Sequence, residues 1–208
     1  LSAQWIKTNG LQGGGIFNFT RAGGGIIANA GTLYFSNNNG QIWAPLGAPP
    51  GGVAYQVAAA GQALAVRFFY DNSQGYRVVF SPDMGQSWIP VATADTMLFY
   101  ELFLAGPYIY GADYYGLYRT ADYGATWEYV SQQQIRDIRY DGQRFTGIRF
   151  PYVVESLDGG FTWNNLLQFT GNPIGFLQQD NRLFLFMQNA QDGCWSSDDY
   201  GQTWQHYT

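Results

Sequence analysis

Several chemistries are missing from this 208-residue chain before any pattern is sought. It has one cysteine, Cys194, so neither an intrachain disulfide nor a thiolate metal cluster is available. Its one histidine, His206, stands two residues from the end, which leaves a Ser/His/Asp or Cys/His relay without a well-held base. No cofactor or metal is expected. Charged residues are 12% of the chain, about half the usual share. The balance of 10 basic and 15 acidic residues has the wrong sign for a phosphate backbone, so no nucleic-acid partner is expected. The longest apolar run, Met97 to Ala112, is broken by Glu101 and Pro107, so no membrane insertion is expected either.

What is abundant is aromatic: 16 Tyr, 15 Phe and 7 Trp, or 18% of the chain, which excludes a disordered chain. These residues recur in register. Ser81-Pro-Asp83-Met-Gly85-Gln-Ser87-Trp88 is followed by Thr120-Ala-Asp122-Tyr-Gly124-Ala-Thr126-Trp127. Then come Ser156-Leu-Asp158-Gly-Gly160-Phe-Thr162-Trp163 and Ser197-Asp-Asp199-Tyr-Gly201-Gln-Thr203-Trp204. A weaker first copy, Ser36-Asn-Asn38-Asn-Gly40-Gln-Ile42-Trp43, lacks the carboxylate and the second hydroxyl. The tryptophans are 45, 39, 36 and 41 residues apart.

The pattern S-x-D-x-G-x-[ST]-W describes a self-stabilised turn. Asp and Ser oxygens accept from backbone N–H groups of the same turn, Gly supplies a positive φ, and Trp folds back over the hairpin. The ligand count and closing Glu of an EF-hand are missing, so a structural turn is expected rather than a calcium loop. Asn38 can still accept from the backbone, so the first turn loses only part of this support. Between turns lie short runs rich in Tyr, Phe, Leu and Ile, such as 98–105, 108–112 and 116–120, separated by Gly-Pro, Asp-Gly and Asn-Arg steps. No window carries a capped helical period. Each period therefore reads as four antiparallel strands, with the motif turn joining the third to the fourth.

Four-stranded units at this spacing are the mark of a β-propeller. The repeat resembles the Asp-box (BNR) repeat of sialidases, sortilin-type receptors, xyloglucan-cleaving hydrolases and photosystem assembly factors. The expected fold is all-β, a single five-bladed propeller of about twenty strands, with repeats near 11–47, 52–92, 97–131, 135–168 and 173–208. Residues 1–10 form an added edge or closure strand in this reading, because Trp5 resembles the fourth-strand tryptophans and is expected to pack at the junction with the last blade. The alternatives are a monomer closed on itself and a fragment that self-associates through its end blades. Leu1-Ser2-Ala3 before Gln4-Trp5 resembles the tail of a bacterial secretory signal, which implies a secreted or cell-surface protein; an arbitrary boundary is the alternative.

The resemblance does not fix a function. Ile148-Arg149-Phe150-Pro151 has the form of the sialidase arginine motif but falls between the third and fourth units, so Arg149 is expected to be a strand residue that pairs with a neighbour. Glycoside hydrolysis needs two carboxylates. Glu101 and Asp137 stand at comparable places in the first strands of successive units, but Arg136 and Arg139 are expected to hold their pKa values down, which suits a salt-bridge cluster rather than a general acid. A non-catalytic binding module for a glycan or a protein accounts better for the Tyr, Asn and Gln content. A glycoside hydrolase and a purely structural scaffold are the alternatives. The turns between first and second strands are short and uniform, whereas the opposite face carries divergent loops. Asp71, Asp113, Tyr114, Tyr115, Tyr152 and Asp192 are the contact candidates there, with Glu101, Asp137 and Arg139 beneath them.

Overall fold

Each motif turn closes on its own side chains. In the computed structural model, which describes residues 15–47, 53–69, 76–93, 98–189 and 192–207, the buried Thr120 hydroxyl donates to Asp122 Oδ1 at 2.8 Å and accepts from the Gly124 N–H at 2.9 Å. Asp122 in turn accepts from the Thr126 N–H at 2.9 Å and from the Thr126 hydroxyl at 2.7 Å. The same set recurs around Asp83, Asp158 and Asp199. At the first turn Asn38 Oδ1 accepts from the Ile42 N–H at 2.9 Å, as expected for a side chain that keeps its carbonyl. The hydroxyl contact is lost, because Ile42 has none to give.

The turn also holds something the sequence does not announce. Not only the glycine but the residue before it is left-handed: Asn39, Met84, Tyr123 and Tyr200 have φ of 58°, 55°, 56° and 57°. That conformation costs an ordinary residue roughly 1–2 kcal/mol. Packing offsets it: the Tyr123 ring lies 5.5 Å from Phe80, and the Arg144 guanidinium sits 4.0 Å over the Tyr200 ring.

Among the described residues, twenty strands form five four-stranded antiparallel sheets, each in simple chain order. The first sheet is β1 (Asn18–Ala22), β2 (Gly25–Asn29), β3 (Leu33–Ser36) and β4 (Ala44–Pro45). The second is β5 (Val53–Ala60), β6 (Ala63–Phe69), β7 (Tyr76–Ser81) and β8 (Ile89–Val91). The third is β9 (Glu101–Ala105), β10 (Tyr108–Asp113), β11 (Gly116–Thr120) and β12 (Glu128–Ser131). The fourth is β13 (Arg136–Tyr140), β14 (Phe145–Arg149), β15 (Tyr152–Ser156) and β16 (Asn164–Gln168). The fifth is β17 (Pro173–Gln179), β18 (Arg182–Met187), β19 (Cys194–Ser197) and β20 (Gln205–Tyr207). No helix occurs among the described residues. The fold is an all-β, five-bladed propeller, with every motif turn between a third and a fourth strand.

Packing divides the chain into two compact units, Leu1–Leu98 with Leu102–Ile109 and Thr120–Trp127, and Phe99–Glu101 with Tyr110–Arg119 and Glu128–Thr208. The first is centred on Ile27, Leu33, Leu64, Val66 and Phe68, all but excluded from solvent, with Met84 and Trp88 at the margin. The second has Ile148, Val153, Phe176, Leu183 and Leu185 at its centre, flanked by Trp195 and Trp204. Second and third strands supply most of this core, as their apolar runs require when both faces of a sheet are covered. Fourth strands are short and largely exposed.

Within each unit the motif glycine is where one sheet meets the next. Gly124 has φ +84°, and a Cβ there would lie 1.9 Å from the Ala92 carbonyl oxygen, just past the end of β8. At Gly85 a Cβ would lie 3.2 Å from the Trp88 ring and in ordinary contact with Gly47, at Gly160 it would meet the Leu117 and Val130 side chains at 2.7 and 3.3 Å, and at Gly201 the Leu166 side chain at 2.8 Å. Each glycine thus provides a left-handed φ, and Gly124 also leaves the gap through which the chain runs out of β8. The Trp127 indole N–H donates to the same Ala92 carbonyl at 2.7 Å, and the Ala92 N–H donates to the Tyr123 carbonyl at 2.9 Å.

Two predictions follow from the turns. Gly106 also has a positive φ but nothing within 4 Å of its Cβ position. Gly106→Ala should therefore cost about 1 kcal/mol from conformation alone. Gly124→Ala should cost a further ~1–3 kcal/mol or more from overlap with backbone, read as the difference between the two denaturation midpoints. The second concerns acid. The Thr126 N–H and hydroxyl hold Asp122 at about 2, and those of Thr203, the hydroxyl foremost, hold Asp199 at about 2. Asp83 is lowered mainly by Ser87, and Asp158 is lowered by Thr162 against the opposing effect of its burial. Folded values below the unfolded ones give stability that is present above about pH 4 and lost as pH falls toward 2. Urea midpoints measured between those limits should drop steeply, and Asp122→Asn should make the drop shallower.

Candidate functional site

Two groupings stand out in the second unit, both at the ends of strands remote from the motif turns. Their geometry begins with a bulge. In β13 the pairing with β14 jumps from Arg136↔Ile148 to Arg139↔Thr146, so one extra residue is inserted. Asp137 lies in it with φ +55°, and the insertion brings Arg136 and Arg139 to the same face of the sheet. First strands β5 and β17 carry a similar irregularity, whereas β1 pairs with β2 in regular register.

The first grouping is charged. Glu101, at the start of β9, accepts from the Ile138 N–H at 2.8 Å and lies 3.8 Å from Arg139 Nη1. Arg139 Nη2 is 3.8 Å from Asp137 and donates to the Phe176 carbonyl on β17 at 3.0 Å. The structure therefore brings together Glu101, Asp137 and Arg139 from two sheets and ties them to a third. The sequence reading expected arginine to lower the Glu101 pKa, and this needs correction. Burial dominates: the side chain is 13% exposed, and loss of hydration together with Asp137 pushes it up to about 7 against the pull of Arg139.

The second grouping is a cleft of about 430 Å³ lined by Tyr100, Tyr114, Gln134, Arg136, Ile148 and Phe150. Tyr114 comes from the β10–β11 loop and Phe150 from the β14–β15 turn. Tyr100 and Gln134 come from the connections that enter first strands, and Arg136 is the first residue of β13. The cleft is stiffened at its base. Tyr100 donates through its hydroxyl to the Ile135 carbonyl at 3.1 Å, and its ring meets that of Tyr114 edge-on at 5.7 Å. Burial, with Glu101 nearby, pushes Tyr100 up to about 12, so its proton stays in place. The Gln134 amide donates to the Tyr114 carbonyl at 2.7 Å, and Phe150 leans on Phe169 at 5.9 Å. Tyr114 and Phe150 remain 73% and 63% exposed. Arg136 is exposed, and its guanidinium has no ion pair or hydrogen bond among the described residues. A free cation between aromatic walls is the chemical character of this cleft.

The remaining candidates fall elsewhere. Asp113 is 2% exposed, and its Oδ1 accepts from the Tyr115 and Gly116 N–H groups at 2.7 and 3.0 Å. It shapes the loop that carries Tyr114 and presents nothing to a partner. Tyr115 is 70% exposed but lies outside the cleft. Tyr152 stands 5.9 Å from the Arg149 guanidinium, and Arg149 donates to Gln133 and Asn165. Arg149 is thus a strand residue satisfied by neighbours. Asp192 accepts from the Asn189 amide at 3.2 Å and closes the β18–β19 loop. Asp71 lies outside the described residues. The sequence reading missed Tyr100, Gln134, Arg136 and Phe150 as contacts, although it placed the contacts on the face that carries them.

No family model matches the chain, and no curated protein matches it by sequence. Its fold is shared with solved structures. YCF48 bound to D1 peptide is 16% identical with a TM-score of 0.65, covering 97% of this chain and 70% of that one. The GH74 enzyme of Niastella koreensis is 14% identical with a TM-score of 0.60, covering 88% and 29% of the two chains. A chain of a nidogen/laminin complex is 12% identical with a TM-score of 0.63, covering 83% and 72%. At these identities the likeness is one of propeller fold.

Ionising Glu101 inside the charged cluster has a measurable consequence. Its folded pKa lies above the unfolded value, so the stability it contributes is complete below about pH 4.5 and is lost as pH rises through 7. A carboxyl-carbon NMR titration should give Glu101 a midpoint near 7. Arg139→Ala should move that midpoint higher, and Glu101→Gln should remove the loss of stability between pH 5 and 8.

Proposed function

We propose that this chain is a non-catalytic binding module of the Asp-box propeller type, and that it takes an extended segment of a protein partner in the cleft around Arg136. The observation that carries the reading is the unpaired Arg136 guanidinium between Tyr100, Tyr114 and Phe150. Exposed aromatic rings supply apolar contact at low entropic cost, and an unsatisfied cation selects for an anionic group among them. The cleft is also held in shape before binding, since Gln134 and Tyr100 fix its walls through backbone carbonyls. Propellers that hold a peptide or a protein, YCF48 with D1 peptide and nidogen with laminin, support a protein partner over a glycan. The reading places the chain outside the bacterial cell, which fractionation of the native culture tests.

The test is panning of a peptide library on the purified chain. Peptides carrying an acidic residue beside apolar or aromatic ones should be enriched. Arg136→Ala and Tyr114→Ala should each weaken them at least about tenfold, the scale of one charge-assisted bond or one ring contact. Tyr115→Ala should not, and the melting temperature should hold in all three. Enrichment indifferent to Arg136 would falsify the assignment.

One observation favours a second reading. A carboxyl held near 7 beside Asp137 is the property of a general acid, and the structural neighbours include GH74 xyloglucanases. Xyloglucan cleaved by the chain and spared by Glu101→Gln would select the hydrolase.

A further inference from the structure

The stretch of β13 that carries Arg136 is held by a buried carboxyl. Tyr100 and Glu101 are consecutive, and both bond to the start of that strand. The Tyr100 hydroxyl donates to the Ile135 carbonyl at 3.1 Å, and Glu101 accepts from the Ile138 N–H at 2.8 Å. These two bonds bracket Arg136. The charged groups acting on Glu101 are Arg139, 3.8 Å away, and Asp137, both on β13. Asp113, at the end of β10, and Arg136 act together with Glu101 on the Tyr100 phenol that walls the cleft. β17 has no charged residue and contributes the Phe176 carbonyl, which Arg139 occupies. The cleft and the buried carboxyl therefore share one electrostatic field.

We propose that Glu101 governs when the cleft accepts an anion: the partner's acidic group and a proton on Glu101 are taken up together. This rests on the reading of the Arg136 cleft given above and adds its regulation. With Glu101 protonated, Arg136 and Arg139 balance Asp113 and Asp137, and an incoming carboxylate meets one unsatisfied guanidinium in neutral surroundings. With Glu101 ionised the same set carries one negative charge in excess, and the carboxylate is repelled. Asp137, with 41% of its side chain exposed, is screened by water; Glu101, at 13%, is screened far less. Burial keeps the Glu101 proton in place up to about 7. A protonated carboxyl still offers an oxygen to the Ile138 N–H, so the wall keeps its shape and only the charge changes. The coupling runs both ways. A carboxylate beside Arg136 makes ionisation of Glu101 costlier, so the Glu101 titration moves up and affinity falls as pH rises. The chain's one histidine, His206, is not among the residues that line the cleft.

The test titrates the capped pentapeptide acetyl-Gly-Phe-Glu-Phe-Gly-amide into the full chain at pH 5.5 and at pH 9, with its glutamine counterpart as the neutral control. Kd for the acidic peptide should rise about three- to tenfold between the two pH values, the scale of two unit charges about 10 Å apart near a protein surface. The carboxyl-carbon midpoint of Glu101 should move up by about half to one pH unit when the peptide saturates the chain. Glu101→Gln should bind at pH 9 as tightly as the unaltered chain does at pH 5.5, and the neutral peptide should bind equally at both. Binding that needs Arg136 but is equal at both pH values would overturn the proposal and leave the cleft reading standing. So would a pH dependence that survives Glu101→Gln, or a Glu101 midpoint unmoved by saturating peptide. Binding indifferent to Arg136→Ala, or none at millimolar peptide, would overturn both.

Discussion

The fold rests on left-handed glycines packed against the preceding sheet, most closely at Gly124, where the Ala92 carbonyl leaves no room for a side chain. The buried hydroxyl of Ser81, Thr120, Ser156 or Ser197 holds each glycine's N–H, and the following carboxylate locks the hydroxyl. The turn is therefore rigid before the neighbouring sheet arrives. One set of five residues satisfies a buried amide, reverses the chain and provides a docking point for the sheet before it. A four-stranded sheet with two apolar faces cannot stand alone, and this contact is how successive sheets are spaced within each unit.

Rigid turns at one end release the other end from structural duty. Loops between second and third strands, and the connections entering first strands, carry residues that the core does not need. There the bulge in β13 brings Arg136 and Arg139 to one face and divides their roles. Arg139 is absorbed by Glu101, Asp137 and the Phe176 carbonyl. Arg136 is left facing a cleft with aromatic walls. The bulge in β13 sets the directions, and the residue types that fall on it create the site.

Much of this was legible in the sequence, for a local reason. The turn makes its hydrogen bonds within eight residues, so S-x-D-x-G-x-[ST]-W is visible as a pattern, and strand order follows from its spacing. The left-handed Met84, Tyr123 and Tyr200 were not legible, because the turn imposes that conformation on residues that seldom adopt it. Neither was the Glu101 proton. Counting nearby arginines points to a low pKa, whereas the outcome depends on how much water three first strands exclude. Asp113 looked like a loop-tip carboxylate and is a buried turn acceptor. Arg136 and Tyr114 are twenty-two residues apart and meet only because β10–β11 and the entry to β13 share one end of adjacent sheets.

The dependence of the structure on its motif turns is open to direct measurement by native-state hydrogen exchange. The amides of Gly85, Gly124, Gly160 and Gly201, each bonded to a buried hydroxyl, should exchange as slowly as the amides of the buried second strands. Exchange at the rate of exposed fourth-strand amides such as Ala44 would show that the turns open independently of the sheets, and would contradict their role as the scaffold's fixed points.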